Sequence, residues 1–519
     1  GVARDVGVVC FNIATDPKGT GIVNAGAWHK RLENIILLVS RIAWILFLVS
    51  LPVTSFPFFP SDFGGGTLVQ PLAIYPLMIL VILVTIPRGF SRALPRTLLS
   101  FLPFAITALV SVLLAFLVGI ETAQGVSVTA RMIRALLTLG LGAAIYFTVS
   151  LWPQKPKDLR SSLRWLYVGF AIALLWGSLQ VIYVLRYSDE YFHLMSQLQQ
   201  FISIRRLFPT RISGLTYEPN WFAEQIALLL LPFLLAAVTR GFSVFRWRFR
   251  WITVEWVLLG WALIVLVFTF SRSGLAIALI LLFLSIILFV PNRGSQKSGE
   301  KVSRWRPVLF RLGIAGLLVM ISATMIFVAG TRSNYFSRIW RYWTEDTKTS
   351  SYLEYIAFSQ RFIYWQAAYN MYESHPVFGV GLGNYAFFFQ ENLPDRPYNS
   401  VPEILKIVTQ SQRAGRLITS KNLFVRLVAE TGIVGLATFL AFLAAVLGCS
   451  FYLWLSNGMR EKYWGIAGLL GFTAVLLTAL STDSFAVPNM WVVFGFTTAA
   501  VQIYSQSPSV DGSKKVGDN

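Results

Sequence analysis

Apolar residues run along this chain in long, nearly unbroken blocks, not with the alternation of a surface strand or the stripe of a surface helix. The blocks fall at roughly 32–54, 69–86, 98–119, 128–150, 161–185, 221–239, 252–271, 274–292, 309–330, 422–455, 463–481 and 487–505. A helix needs about 20 apolar residues to cross a hydrocarbon core of ~30 Å. Each block is long enough, which predicts an all-α polytopic membrane protein with about twelve transmembrane helices. The block 422–455 is too long for one simple crossing, so its first part, with Arg426 and Glu430, is expected at or outside the membrane boundary.

The connections between blocks alternate in charge. One set carries the basic residues: Arg88, Arg92 and Arg96, then Lys155, Lys157, Arg160 and Arg164, then Arg240 to Arg250, Arg293 to Arg306, and Arg460 with Lys462. The other set is poor in them: Ser55 to Leu68 has none, and the last connection holds only Asp483 for charge. Short basic loops stay in the cytoplasm, so both termini are expected there, as an N-terminal tail over 1–31 and a C-terminal tail over 506–519. Helices 1–9 then occupy 32–330 with an outer connection at 186–220, a large outer loop covers 331–421, and helices 10–12 occupy 422–505. The loop's aromatics, Tyr335, Trp340, Trp343, Tyr364, Trp365 and Tyr369, argue that it is folded. Arg361 to Tyr372 reads as a helix with Phe362, Trp365 and Tyr369 on one face.

Composition supports lipid as the solvent. The chain is 55% hydrophobic and 13% charged, with a mean hydropathy of +0.62; soluble domains carry about 25% charged residues. A net charge of +20 could suggest nucleic acid. Its placement in short loops points instead to membrane lipid headgroups and phosphate-bearing substrates. Two cysteines and three histidines suggest neither a disulfide framework nor a zinc site.

Four segments carry candidate chemistry. In Arg211-Ile-Ser-Gly-Leu-Thr-Tyr-Glu-Pro-Asn220, Gly214 and Pro219 place a helix start near Asn220. Arg211 and Glu218 either sit at a cavity mouth, where arginine suits bidentate phosphate recognition, or belong to a basic loop touching lipid phosphates. Arg272 lies within the apolar stretch from Trp251 to Phe289, where a charge is costly unless solvated, paired or bound. It either snorkels to the interface or holds an anion, and the tight Ser271-Arg272-Ser273-Gly274 turn favours the second. In Ser374-His375-Pro376-Val377-Phe378-Gly379-Val380-Gly381-Leu382-Gly383, the alternate glycines allow close backbone approach. A phosphate cradle is one reading, and a structural turn with a structural His375 is the simpler one. The fourth segment, Lys421-Asn422-Leu423-Phe424-Val425 through Glu430-Thr431-Gly432, leads from the large loop back into the membrane.

Together, in this order and on this topology, these segments resemble the superfamily of O-antigen ligases and Wzy-type O-antigen polymerases, best over 205–440. That family shows an outer Arg-x-x-Gly, a further Arg at an outer span boundary, and a large outer loop. In the loop a His-Pro-Leu-x-Gly-x-Gly-like stretch precedes a His-Asn-x-x-Leu…Glu-x-Gly stretch. The resemblance implies a GT-C-like membrane glycosyltransferase that uses no metal and no cofactor. Such an enzyme moves a glycan from a polyprenyl-pyrophosphate-linked oligosaccharide donor to the hydroxyl of a glycan or lipid acceptor, at the outer face of a bacterial cytoplasmic (inner) membrane. Carried over, Arg211 and Arg272 hold the donor pyrophosphate, whose leaving group gains charge as the glycosidic bond breaks. One position departs: the family's histidine, its general base, is Lys421 here. A lysine starts near ~10.4 and accepts a proton only if strongly depressed. Either Lys421 is such a base, or it binds phosphate while Glu218, Glu430 or His375 is the base, or it is not catalytic. The second reading is preferred, since an ordinary lysine is a cation and the donor an anion. A polymerase is preferred over a ligase because this change sets the chain apart from the ligase pattern. The alternatives are a secondary transporter of a small anion, which predicts inverted repeats and midplane charges, and a non-catalytic envelope scaffold.

Overall fold

The structure, a computed structural model, describes residues 22–58, 69–91, 94–117, 120, 126–250, 252–289, 323, 327, 359–394, 404–405 and 417–506. The expected span at 309–330, apart from Ala323 and Phe327, lies outside these, as do Tyr335, Trp340, Trp343 and the tail beyond Gln506. The other expected spans are helices: α1 (Ile22–Ser50), α2 (Ile74–Ser91), α3 (Arg96–Phe116), α4 (Val128–Leu151), α5 (Pro156–Leu185), α7 (Pro219–Arg240), α8 (Val254–Phe268), α9 (Arg272–Ile287), α12 (Leu423–Leu455), α13 (Met459–Ala479) and α14 (Pro488–Ser505). Between them lie α6 (Asp189–Gln199), α10 (Ser359–Ser374) and the single turn α11 (Tyr385–Phe388). A short hairpin of β1 (Arg248–Phe249) and β2 (Ile252–Thr253) joins α7 to α8. The protein is thus an all-α, multi-pass membrane protein. Two boundaries differ from the sequence reading: α1 begins at Ile22, ahead of 32, and the 186–220 connection contains a helix.

Burial sorts the helices as a membrane bundle requires. α7 is buried along most of its length, with Glu224 and Gln225 as polar exceptions among apolar residues. A helix hydrophobic on every face belongs in a core, and α7 packs on α8, α13 and α14. α1, α2 and α3 form the periphery, with Leu38, Ile82 and Ile106 turned outward as lipid-facing residues. Small residues let backbones meet: a Cβ at Gly169 of α5 would lie 2.7 Å from the Val49 carbonyl of α1.

Prolines explain local widening. In α2 the Ile86 N–H bonds five residues back to Val81, and in α7 Leu231 does so to Ile226. Each π segment ends two residues before a proline, Pro87 and Pro232. Proline lacks the N–H that would bond to the carbonyl four residues back, and its ring clashes with that carbonyl, so the helix relaxes into a wider turn.

α12 is two helices. Gly432 adopts φ 64° and ψ −166°, which breaks the long block. Ile433 donates to the Pro376 carbonyl at 2.9 Å, while Val380 and Gly381 donate to the carbonyls of Ala429 and Glu430 at 2.9 Å each. The glycine-rich segment is therefore docked backbone to backbone on the kink, as the structural-turn reading held. A Cβ on Gly432 would lie 2.3 Å from the Val377 oxygen. Gly432→Ala is expected to cost about 2–4 kcal/mol, visible as a lowered unfolding midpoint of the purified protein; an unchanged midpoint would mean the kink can relax.

Candidate active site

The site is built where the starts of α7 and α9 meet the ends of α8 and α13. α8 stops at Phe268, and the chain turns through Thr269, Phe270 and Ser271 into α9. The Ser271 hydroxyl caps α9 by accepting from Gly274 N at 3.3 Å. Phe270 sits at φ 48°, a strained conformation for a bulky residue. Lys421, at φ 51°, and Arg250 of the hairpin, at 53°, are the other non-glycine residues at positive φ among the described residues, so two of the three fall at or beside segments singled out for chemistry.

Arg211 comes directly onto that turn. Its Nε donates to the Thr269 carbonyl at 2.8 Å and an Nη to Asn220 Oδ1 at 2.8 Å, while Ile212 N–H donates to the Phe268 carbonyl at 3.2 Å. The Gly214 loop behind it is held by Gln180, whose Oε1 accepts from Ser213 N and Gly214 N at 2.9 Å each. Arg211 and Arg272 thus stand on adjoining turns, both half-buried. Gly274 seats α9 on α7: a Cβ there would lie 2.4 Å from that of Ala223. Glu218 precedes α7, half-exposed and ion-paired with Arg205. Arg205 in turn lies over the rings of Phe208 and Tyr217, at 4.4 and 4.9 Å from their centroids.

The large-loop segments reach the same end. Arg361 of α10 donates to the Leu480 carbonyl at 3.0 Å. The buried Glu224 of α7 accepts from the Thr482 hydroxyl at 3.1 Å, and both Arg361 and Glu218 lie within electrostatic reach of it. Next along the chain, Asp483 Oδ2 accepts from Lys421 N–H at 2.9 Å and its carbonyl from Arg426 at 2.6 Å. A chain of contacts thereby runs from the Arg272 turn through Ala223 and Glu224 to Thr482, Asp483 and Lys421. The Lys421 side chain is exposed, its Nζ 5.5 Å from the centre of the Tyr364 ring. Asn422 caps α12, accepting from Phe424 N at 3.0 Å and Val425 N at 3.2 Å.

Glu430 and His375 stand differently. Glu430 is 1% exposed; Oε2 accepts from Arg426 Nε at 2.8 Å and Oε1 from Tyr385 N at 3.4 Å. Arg131 of α4 adds its charge to this buried group and donates to the Gly383 carbonyl at 3.1 Å. Both Glu430 oxygens are thus engaged, Oε2 within α12 and Oε1 on the chain just after the glycine-rich segment. Burial raises the Tyr385 phenol well above its usual range, so it stays a neutral donor to the Tyr364 carbonyl, at 2.7 Å. His375 lines a cleft of about 230 Å³ with Leu114 and Ala115 of α3, and its Nδ1 is buried with no hydrogen-bond partner among the described residues. α10 is helical as expected, but its buried face is Tyr364, Ala367, Ala368 and Met371; Phe362 and Tyr369 are about half exposed.

Asp483, Glu224, Arg361 and Arg131 were not among the sequence candidates. The available signal was cost: a lone carboxylate between apolar blocks, such as Asp483, needs a partner.

The fold is that of a multi-pass membrane protein with a basic constellation at one end of its bundle. Residues 257–440, which contain Arg272, His375, Lys421 and Glu430, match the family model described as O-antigen ligase. That segment, about a third of the chain, is thus similar to the O-antigen ligase family, which supports the resemblance to O-antigen ligases and polymerases and, in general terms, a glycosyltransferase-type enzyme acting on lipid-linked oligosaccharide. No curated protein matches the sequence.

Proposed function

We propose that the protein transfers or polymerises glycans from a polyprenyl-pyrophosphate donor onto an acceptor hydroxyl, without a metal, at the outer face of the cytoplasmic membrane. Both termini lie in the cytoplasm, and the Arg211 end faces outward. The observation that carries the reading is the adjoining placement of Arg211, bonded to the Thr269 carbonyl, and the Arg272 turn. Two arginines on adjoining turns suit a pyrophosphate, whose charge rises as the glycosidic bond breaks; fixed cations stabilise that charge in place.

Lys421 acts as a third cation. Its exposed side chain supports this over a buried proton acceptor, and Asp483 holds its backbone. Among the proposed bases, Glu218 stands nearest the arginine pair in the chain, two residues before the Asn220 that Arg211 engages. Proton removal by Glu218 requires Arg205 to release it. Glu430 has both oxygens occupied, and His375 lines the separate α3 cleft.

Purified protein with its source's lipid-linked oligosaccharide and EDTA, products resolved by size, tests the reaction. A ladder of longer glycans means a polymerase, and one shifted product on another acceptor means a ligase. No product from protein that binds the donor overturns the proposal. Within the assay, Lys421→Met is expected to lower turnover about a hundredfold and Lys421→Arg to keep much of it. Full turnover in Lys421→Met would remove the lysine from the machinery.

A further inference from the structure

We propose that α6 and the segment after it form a glycan subsite, a second site beside the arginine pair that takes the uncharged sugar portion of a substrate. The inference rests on the proposed reaction and deepens it.

α6 has three faces. Met195 and Gln199 are buried against the bundle, and Leu194 and Leu198 are exposed, as suits a helix lying at a membrane surface. The third face, Asp189, His193, Ser196, Gln197 and Gln200, follows the spacing of one helical stripe. It forms one wall of a cleft of about 860 Å³, whose other wall includes Arg206, Leu207 and Pro209. Clefts of roughly 300–1,000 Å³ take small-molecule ligands.

The lining selects the ligand class. Amides, a hydroxyl, an imidazole and carboxylates line one cleft and offer both donors and acceptors, which matches the hydroxyl-rich surface of a sugar. Phe192 adds a ring to that wall. Ser196 also lines the cleft, its Oγ lying beneath the surface with no hydrogen-bond partner among the described residues. Two carboxylates face one guanidinium here, so a phosphate is repelled toward the Arg211 turn instead.

The cleft is tied rigidly to that turn. Gln199, on the back of the same helix, donates to the Gly214 carbonyl at 3.3 Å and accepts from Trp176 at 2.7 Å. Arg206 and Arg211 are separated by a few residues of the same segment. Arg211 lies two residues beyond Pro209 of the cleft's other wall, so the proposed subsite and the proposed pyrophosphate site share one short segment of chain.

The test uses the full chain in lipid nanodiscs. The probe is oligosaccharide released by mild acid from the source's lipid-linked glycan, its binding read by saturation-transfer NMR. The variants are Gln197→Ala/Gln200→Ala, which removes partners, and Ser196→Tyr, which fills the cleft; unchanged unfolding midpoints certify both. Binding is expected to weaken about tenfold in each. In the transfer assay KM for the glycan substrate should rise in step, with kcat within about twofold. Wild type that transfers glycan while both variants keep its binding and KM would overturn the subsite and leave the reaction standing. Wild type that binds the probe through these residues but transfers nothing would sustain the subsite and sink the reaction. Displacement of the probe by inorganic pyrophosphate would make the cleft a phosphate site and overturn the inference.

Discussion

Arg272→Ala and Arg211→Ala are each expected to lower turnover by about 10²–10³, the cost of removing one fixed donor from a developing negative charge. Arg211→Lys should recover little, because a lysine cannot span both the Thr269 carbonyl and Asn220 Oδ1 while presenting a planar pair of donors. The pair should also be non-additive: once one guanidinium is lost the pyrophosphate shifts, so the double variant should be little worse than either single one. Binding of the lipid-linked donor should weaken in all of them, and their unfolding midpoints should stay near wild type, since both side chains are half-buried. Turnover within a fewfold of wild type in both single variants would remove the arginines from the site.

The second large effect falls on stability. Arg426→Met leaves Glu430 buried and unpaired, and breaking a buried pair from one side costs about 3–5 kcal/mol. The pair is 2.8 Å apart, with Arg426 7% and Glu430 1% exposed. Arg426 also donates to the Asp483 carbonyl, and Asp483 holds Lys421 N–H, so the variant should lose turnover along with its unfolding midpoint. Arg426→Met/Glu430→Leu removes both charges and should recover most of the midpoint without recovering turnover. Those two readouts separate the structural work of the pair from its placing of Lys421. An Arg426→Met protein with wild-type midpoint would show that Glu430 finds another partner, Arg131 being the one already within electrostatic reach of it.

The spans were legible because insertion into lipid is set by local composition. A block of apolar residues must be helical wherever its partners lie, since no water is present to satisfy its backbone. The helix start at Pro219 and the α8–α9 turn at Arg272 are likewise local. The resemblance added Arg211, Arg272 and Lys421 by their order along the chain, and the family match over 257–440 spans the last two positions and not Arg211.

Which groups touch was not legible. Glu430 reads as a candidate base until Arg426 and Tyr385 occupy both its oxygens. The alternate glycines left a cradle open beside the simpler structural turn, and the backbone docking of their segment on the Gly432 kink is a contact the sequence did not show. The buried face of α10 is Tyr364, Ala367, Ala368 and Met371, although the larger rings of Phe362 and Tyr369 marked the opposite side. α6 was missed because its apolar residues are split between two faces, which leaves no single stripe. Hydropathy along the chain determined the helices, and loop charge supplied the expectation of sidedness, because both are properties of a segment in its solvent. Only the tertiary structure decided the pairing of charges, the adjoining of Arg211 with the Arg272 turn and the cleft on α6, because those depend on contacts between segments far apart in the chain, which no local pattern encodes.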